Sequence, residues 1–333
     1  MTAGLTAEGI RVLVPRVLPE VSRHARRTPW LPSAWLSERT GGAVYLKCEN
    51  LQVTGSFKVR GAVAALALLD PGIRGRGVVT SSTGNHGLAL AHAARAFGAA
   101  CTVVVPRSVA PVKERRIRAL GARVIHAPHD GYDRTQTWTL DRLEELGGAY
   151  VSPFEDPAVA AGNGGTIAVE VDEQAPGLDA LVVPCGGGGL VAGLAAEMEI
   201  RRPELAVIGV NSEASPGMWR SFREGAAILE IESEATLADG IEGGVGAGTF
   251  AVAAPRLRDV VLVSEPAVAA AVAGTARHDK LVIEGAAAVA VAAILEGKAR
   301  EGRIGLLLSG GNIGAEALAG VLALPDWPLR PGG

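Results

Sequence analysis

Four consecutive glycines constrain this chain more than any other feature. Gly186, Gly187, Gly188 and Gly189 follow the apolar residues 181–185 and precede residues 190–200, which have the composition of a helix. A strand, a glycine turn and a helix start together bring free backbone N–H groups and the positive helix end to one point. The pattern therefore predicts a cradle for an anion such as a phosphate group.

Lys58 is the second informative residue. It lies just inside a predicted helix that runs to about Leu69, with Ser56 as the predicted N-cap. The positive helix end and partial burial both disfavour an ammonium, so we expect a neutral amine at working pH. An isolated Lys is usually solvated, but a neutral amine together with a phosphate cradle suggests an imine-forming lysine and the cofactor pyridoxal 5'-phosphate.

Short apolar stretches alternate with helical stretches along most of the chain. The first strands are predicted at residues 77–80, 101–105 and 123–126. A second alternating series begins at Gly162, and such alternation is typical of α/β folds with parallel sheets covered by helices. Two helices separated at Pro15 are predicted for residues 1–28, and residues 211–250 are predicted to be rich in loops.

Four segments carry a family resemblance. They are residues 47–62 around Lys58, residues 81–86, the glycine run 186–189 and residues 309–312. In this order they resemble the signatures of the serine/threonine dehydratase family of fold type II pyridoxal-phosphate enzymes. That family includes threonine ammonia-lyase, serine racemase and hydroxyectoine-utilisation dehydratase. The resemblance spans residues 45–312 and so covers most of the chain.

The resemblance implies a tryptophan synthase β-like fold, with two open, mostly parallel sheets flanked by helices. It implies a large cofactor-binding domain from residues 1–75 and 155–325, and a small inserted domain, residues 76–154, that closes over the substrate. Relatives of this kind are commonly homodimers, so a homodimer is expected as well.

The resemblance also implies a set of site residues. The catalytic residues are Lys58, Ser82 and Thr83. The cofactor-binding residues are Phe57, Lys58, Asn85, Gly186, Gly187, Gly188, Gly189, Gly240, Glu284 and Ser309. The substrate-binding residues are Ser82, Thr83, Gly84 and His86. On local sequence alone, His86 and Glu284 are equally compatible with ordinary positions at helix starts.

Three of these residues have implied roles that define the reaction. Lys58 links to the cofactor and moves the α-proton, and Asn85 hydrogen-bonds to the cofactor's 3-hydroxyl. Ser309 faces the ring nitrogen, where a hydroxyl makes a weaker electron sink than a carboxylate and so favours β-elimination over transamination. The expected activity is a pyridoxal-phosphate-dependent lyase, in which threonine or serine loses water and ammonia to give a 2-oxo acid.

Two alternatives stay open. An amino-acid racemase or a β-replacement synthase would use the same cofactor. A nicotinamide-dependent oxidoreductase would use residues 187–192, which satisfy GxGxxA after a strand, with Glu213 about 20 residues further on. The other three signatures favour pyridoxal phosphate, and Glu213 is then expected on the surface.

Three departures from the family pattern bear on the substrate and on metal binding. Thr83 stands where dehydratases often have Ala and serine racemases have Ser. Relatives with a structural cation have a Glu where Asn211 stands and an Asp near Gly217, so the cation site is predicted to be lost or weak and no metal ligand is predicted. The loop 239–246 departs after Asp239 and Gly240, and resembles dehydratases for less usual β-hydroxy amino acids, such as phenylserine-type enzymes.

Charge and cysteine usage exclude several other classes. The net charge of −3, without a basic stripe, argues against nucleic-acid and membrane partners. The apolar stretch 180–196 is broken by Pro184 and glycines, so no membrane span or signal peptide is expected. Cys48, Cys101 and Cys185 are widely spaced, as in a cytoplasmic protein with reduced thiols.

Overall fold

Two sheets organise the chain. The computed structural model describes residues 5–328 except Thr83 and Glu301. The strands are β1 (Trp30–Pro32), β2 (Ala43–Lys47), β3 (Val78–Ser81), β4 (Cys101–Val105), β5 (Arg123–His126), β6 (Ala149–Tyr150), β7 (Ala180–Pro184), β8 (Ala206–Ser212), β9 (Asp259–Val263) and β10 (Arg303–Leu307). Within these ranges a six-stranded sheet has the order β1-β2-β10-β7-β8-β9, and a four-stranded sheet has the order β5-β4-β3-β6. All pairs are parallel except β1 with β2.

Helices connect the strands and cover the sheets. They are α1 (Ala7–His24), α2 (Ala34–Thr40), α3 (Lys58–Leu68), α4 (Pro71–Gly75), α5 (Asn85–Ala96), α6 (Pro111–Ala119), α7 (Tyr132–Asp141), α8 (Leu143–Leu146), α9 (Pro157–Ala160), α10 (Thr166–Gln174), α11 (Gly189–Arg201), α12 (Gly217–Glu224), α13 (Ala247–Ala253), α14 (Glu265–Gly274), α15 (Gly285–Leu295) and α16 (Ala315–Leu322). The alternation predicted from the sequence is therefore present, and the prediction of an α/β fold with mostly parallel sheets is confirmed.

Small aliphatic side chains build the core. Every residue of α15 is buried, and most of its residues are Ala or Val. Each strand of a parallel sheet between two helical layers needs apolar residues on both faces, which β7 has along its whole length. Because aromatic residues make up only 4% of the chain, the close packing of the two layers depends on Ala and Val rather than on large rings.

The N-terminal helix departs from the prediction. The predicted break at Pro15 is wrong, since α1 continues through both Pro15 and Pro19. The buried stripe of α1 consists of Ala7, Ile10, Val14, Val17 and Val21. These residues recur at helical spacing on both sides of Pro15 and pack into the core, so burial of one continuous apolar face outweighs the two missing N–H donors.

One further prediction needs correction. Ser56 does not cap α3: its backbone bridges to Gly310, and its buried hydroxyl has no partner within the described residues. Residues 211–250 are rich in loops, as predicted, with α12 and the start of α13 as the helices among them. Of the clustered glycines that indicated loops, Gly248 lies inside α13.

Two general properties follow from the described ranges. No helix among residues 5–82, 84–300 and 302–328 is long and apolar enough to cross a membrane. All three cysteines are buried and free, so none is part of a disulfide.

Candidate active site

The predicted site residues line one cleft. It contains about 1240 Å³ of space, counting its solvent-filled mouth. The predicted residues that line it are Phe57, Lys58, Ser82, Gly84, Asn85, His86, Gly186, Gly187, Gly188, Gly189, Gly240, Glu284 and Ser309. Thr83, the remaining predicted residue, lies outside the described residues. Ser82, Gly186 and Ser309 follow the carboxyl ends of β3, β7 and β10, which is where ligands bind in parallel α/β sheets.

Lys58 is the first residue of α3 and is half-buried in this cleft. Its Nζ donates a hydrogen bond of 3.1 Å to the carbonyl oxygen of Pro153 and lies 5.2 Å from the centre of the Phe57 ring. Burial lowers the pKa of Lys58 to about 8, although the negative charge of Glu284 opposes that change. Near physiological pH the amine is therefore neutral in a far larger fraction of molecules than an ordinary lysine amine, as a nucleophile requires.

The glycine turn is a preformed cradle. Gly188 has φ +95°, a conformation that other residues rarely adopt, and it precedes the first residue of α11. A Cβ atom at Gly187 would lie 2.4 Å from the ring of Phe154, and one at Gly189 would lie 2.8 Å from the backbone of Phe154. Among the described residues, the N–H groups of the four glycines have no hydrogen-bond partner. These free donors at the start of a helix fit a phosphate group.

The start of α5 forms the opposite wall. Ser82 Oγ accepts hydrogen bonds from the N–H groups of Gly84 (3.1 Å) and Gly87 (2.9 Å), so its own hydrogen is free to donate into the cleft. His86 lies behind it, with Nε2 3.3 Å from the carbonyl oxygen of Val151. Burial and the nearby charge of Lys58 lower the pKa of His86 to about 3, so this ring stays neutral.

Glu284 and Ser309 lie on a third side of the cleft. Glu284 accepts from Asn85 Nδ2 at 2.7 Å, and burial together with the charge of Asp239 raises the pKa of Glu284 to about 7. Ser309 is buried, and its carbonyl oxygen accepts from the N–H of Phe57 at 3.0 Å. This bond joins the end of the last strand to the residue before Lys58, so the serine and the lysine are held in one rigid unit.

Several residues of the cleft were missed from the sequence. They are Lys113, Arg116, Pro153 and Phe154, whereas Asp239 and Asn312 lie in segments that the sequence analysis names without giving either residue a role. Lys113 donates to Asp239 at 2.6 Å, and Arg116 donates to Asn312 Oδ1 at 2.8 Å. The two basic residues are three positions apart on α6 and so share one helix face. That spacing was visible in the sequence, but the cleft that the face meets was not.

Asn211, where no metal site is predicted, makes two side-chain hydrogen bonds. Asn211 Nδ2 donates to the carbonyl oxygen of Cys185 at 2.6 Å, and Asn211 Oδ1 accepts from the N–H of Trp219 at 2.9 Å. Asn211 therefore ties the end of β7 to α12. The part of the chain that the structure describes contains no group of three His, Cys, Asp or Glu that could hold a metal ion. Glu213 is exposed, as expected.

The fold and the cleft together define a pyridoxal-phosphate enzyme of fold type II. The chain belongs to the pyridoxal-phosphate dependent enzyme family, whose pattern it matches over residues 21–310. The family, the fold class and the cofactor predicted from the sequence are thereby confirmed. The nicotinamide alternative finds no support in this family.

The chain is similar to individual members of this family over most of its length. The chain is 43% identical over 289 residues to an L-threonine ammonia-lyase from Thermotoga maritima, covering 86% of this chain and 71% of that protein. It is 39% identical over 305 residues to a putative threonine dehydratase from Sinorhizobium fredii, covering 90% and 91%. The solved serine racemase from Dictyostelium discoideum has a TM-score of 0.84 and 32% identity, with 94% of this chain and 100% of that chain covered.

The lowered pKa of Lys58 leads to a prediction about cofactor attachment. Only the neutral amine attacks an aldehyde, so the attachment rate should rise with pH up to about 8 and then level off. An ordinary lysine amine, with a pKa of 10.5, would give a rate that keeps rising well beyond that point. Mixing apo-enzyme with pyridoxal phosphate and following absorbance measures the rate, with a free lysine derivative as the control. A rate that tracks the free derivative would contradict the prediction.

Gly188 gives a second prediction. In Gly188→Ala the new Cβ would lie 2.6 Å from Thr249 Oγ1 on a backbone that alanine rarely adopts. Strain of about 1–2 kcal/mol and a similar overpacking cost would shift the turn and move its N–H groups apart. We expect the dissociation constant of the cofactor to rise at least about tenfold, measured by fluorescence titration of apo-enzyme.

Gly225→Ala is the matched control for this change. Gly225 has φ +72° at the end of α12, and nothing lies within 4 Å of a Cβ built there. It therefore introduces the same kind of backbone strain without the clash and away from the cleft. If both variants weaken cofactor binding equally, the glycine turn is not the phosphate cradle.

Proposed function

We propose that this enzyme removes water and ammonia from a β-hydroxy amino acid such as threonine or serine, giving a 2-oxo acid. One observation carries the proposal: an amine with a pKa of about 8 shares its cleft with a glycine cradle and with the Ser309 hydroxyl. The identities of 43% and 39% to proteins named for threonine ammonia-lyase and threonine dehydratase support the same reaction.

The residues present fit the cofactor. The four N–H groups of the glycine turn would hold its phosphate, Asn85 Nδ2 would face its 3-oxygen, and Ser309 would face its ring nitrogen. A hydroxyl at this last position is neutral and does not hold a proton on the ring, which suits elimination better than transamination. Glu284, with its pKa near 7, would lie beside the ring and accept from Asn85.

The cofactor and the protein side chains have different parts in the proposed reaction. When bound, pyridoxal phosphate supplies an aldehyde for the amines of lysine and substrate and a ring that acidifies the substrate's α-carbon. The neutral Lys58 Nζ takes the α-proton, and Ser82 and the N–H groups at the start of α5 hold the substrate carboxylate. The β-hydroxyl takes up one proton and leaves as water, so the proton that Lys58 removes from the α-carbon is balanced overall. One water is then consumed when the released enamine hydrolyses to 2-oxo acid and ammonia.

A substrate panel tests the proposal. Serine, threonine, hydroxyaspartate and phenylserine are each incubated with holoenzyme, and 2-oxo acid and ammonia are measured. The substrate should give the two products in equal amounts. 2-Aminobutyrate, which is threonine without its β-hydroxyl, is the matched control. It should exchange its α-proton with deuterated solvent and yield no 2-oxo acid.

The same panel separates the rival reactions. Inversion of the amino acid without 2-oxo acid would indicate a racemase, and turnover only with an added thiol would indicate a β-replacement synthase. Either result would overturn the proposed dehydration. Thr83, which stands where serine racemases have Ser, lies outside the described residues.

We also propose the domain division predicted from the sequence, with residues 76–154 closing over the substrate. All strands of the four-stranded sheet come from within this range, and the Lys113–Asp239 ion pair joins it to the rest of the chain.

We further propose that the enzyme is a cytoplasmic homodimer. The buried free thiols suit a reducing compartment, and the exposed Leu322 and Leu324 suit a partner surface. Sedimentation equilibrium tests the dimer.

A further inference from the structure

A chain of hydrogen bonds crosses the cleft from α6 to Glu284. Arg116 donates to Asn312 Oδ1 at 2.8 Å, and Asn312 Nδ2 donates to Asn85 Oδ1 at 2.7 Å. Asn85 Nδ2 then donates to Glu284 Oε1 at 2.7 Å. Two side-chain amides thus stand in series between a guanidinium and a carboxylate.

The orientation of the first amide is fixed from two sides. A guanidinium can only donate, so Asn312 Oδ1 must face Arg116. A backbone carbonyl can only accept, and the carbonyl oxygen of Thr54 accepts from Asn312 Nδ2 at 2.9 Å. Gly55 packs closely against the same amide, since a Cβ atom there would lie 2.4 Å from Asn312 Oδ1. Asn312 therefore presents its donor, and not its acceptor, to Asn85.

That orientation determines the second amide. Because Asn312 supplies a donor, Asn85 must turn Oδ1 toward it and Nδ2 toward Glu284 and the cleft. The opposite orientation of Asn85 would set two NH₂ groups against each other and a carbonyl oxygen against the Glu284 carboxylate. One hydrogen of Asn85 Nδ2 is used by Glu284, and the second is available to a ligand.

We propose that Asn312 is a positioning residue that fixes Asn85 as a hydrogen-bond donor to the 3-oxygen of the cofactor. The inference rests on the role proposed above for Asn85 and adds the reason why its amide has one orientation. Asn312 itself does not touch the reacting atoms in this arrangement, and it acts through Asn85.

Asn312→Asp is the critical variant. Aspartate has the shape of asparagine but only accepts, so Asn85 must turn Nδ2 toward residue 312 and direct Oδ1 at Glu284 and the cofactor's oxygen. We expect the dissociation constant of pyridoxal phosphate to rise at least about tenfold. The charge-assisted hydrogen bond from Asn85 Nδ2 to the cofactor's 3-oxygen is lost, and Asn85 Oδ1 and that oxygen, both acceptors, then face each other. The absorbance maximum of the bound cofactor should shift as well. Both are measured without substrate, so they do not depend on which amino acid the enzyme uses.

A double-mutant cycle separates positioning from other effects. Cofactor binding is compared in the native enzyme, Asn312→Asp, Asn85→Ala and the double variant. If Asn312 acts through Asn85, the Asn312→Asp substitution should alter binding by no more than about twofold once Asn85 is absent. A general effect of the added negative charge, or a loss of folding, would persist in both backgrounds and would overturn the inference.

Asn312→Ala provides a second test in case the Asn312→Asp variant folds poorly. It removes the donor without adding charge, so we expect about a threefold rise in the cofactor's dissociation constant, again absent in the Asn85→Ala background. If Asn85→Ala leaves cofactor binding unchanged, the proposed role of Asn85 fails and the inference fails with it. A failure of the proposed dehydration would appear only in the product assay, with this cycle unaffected.

Discussion

Replacing Lys58 by alanine should lower kcat/KM for the amino-acid substrate by at least about a thousandfold, at the upper part of the range for a lost acid–base group. The variant loses both the amine that links to the cofactor and the group that takes the α-proton. The glycine cradle is untouched, so pyridoxal phosphate should still bind, but without the covalent link that borohydride fixes. Product formation, borohydride trapping with mass spectrometry and equilibrium dialysis measure these three properties.

Two further variants sharpen this prediction. Lys58→Arg keeps a positive charge but cannot provide a neutral amine, so it should be as inactive as Lys58→Ala. Lys298→Ala is the control lysine, since its Nζ contacts Leu262 and Glu296 rather than the cleft, and it should retain normal turnover. Substantial activity in Lys58→Arg would show that the charge of Lys58 matters and that its nucleophilicity does not.

The sequence predicted those parts of the site that depend on local pattern. Lys58 and the glycine run are recognisable because the position of an amine at a helix start, or of N–H groups in a turn, follows from a few neighbouring residues. The two short polar segments after β3 and β10 are identified through the family resemblance. The described residues of these segments line the cleft, except for Gly310 and Gly311.

The features that were mispredicted or missed depend on distant contacts. The sequence predicts a helix break at Pro15, but packing of the apolar face of α1 keeps the helix continuous. Ser56 has the right residue type for an N-cap, yet the bridge to Gly310 takes its backbone elsewhere. Arg116 and Asn312 meet across 196 positions of sequence, and no local pattern indicates that pairing.

A buried ion network that includes Arg60 of α3 also depends on contacts between distant residues. Arg60, on the same helix as Lys58, donates to both oxygens of Glu49 at 2.8 Å and to both oxygens of Glu170 at 2.7 and 3.0 Å. Lys47 also pairs with Glu170, and all four side chains are buried. Lys47, Glu49 and Arg60 are close in sequence, but Glu170 lies 110 positions beyond Arg60.

Arg60→Ala should lower the free energy of unfolding by about 3–5 kcal/mol, the usual cost of leaving a buried charge without its partner. Two cations balance two carboxylates in the native network, and the variant leaves one carboxylate in excess. Urea denaturation of the apo-enzyme measures the change. Arg115→Ala on α6 is the control, because Arg115 is exposed, and it should stay within about 0.5 kcal/mol of the native enzyme.

A second substitution tests whether unbalanced charge is the cause. Adding Glu49→Gln to Arg60→Ala removes the excess carboxylate, leaves the Lys47–Glu170 pair intact and keeps an oxygen that can accept from Thr28. The double variant should therefore be more stable than Arg60→Ala alone, although Glu49→Gln by itself should destabilise the native enzyme. If Glu49→Gln costs the same in both backgrounds, the loss in Arg60→Ala comes from the cavity left by a large side chain, and the network does not anchor α3 through its charges.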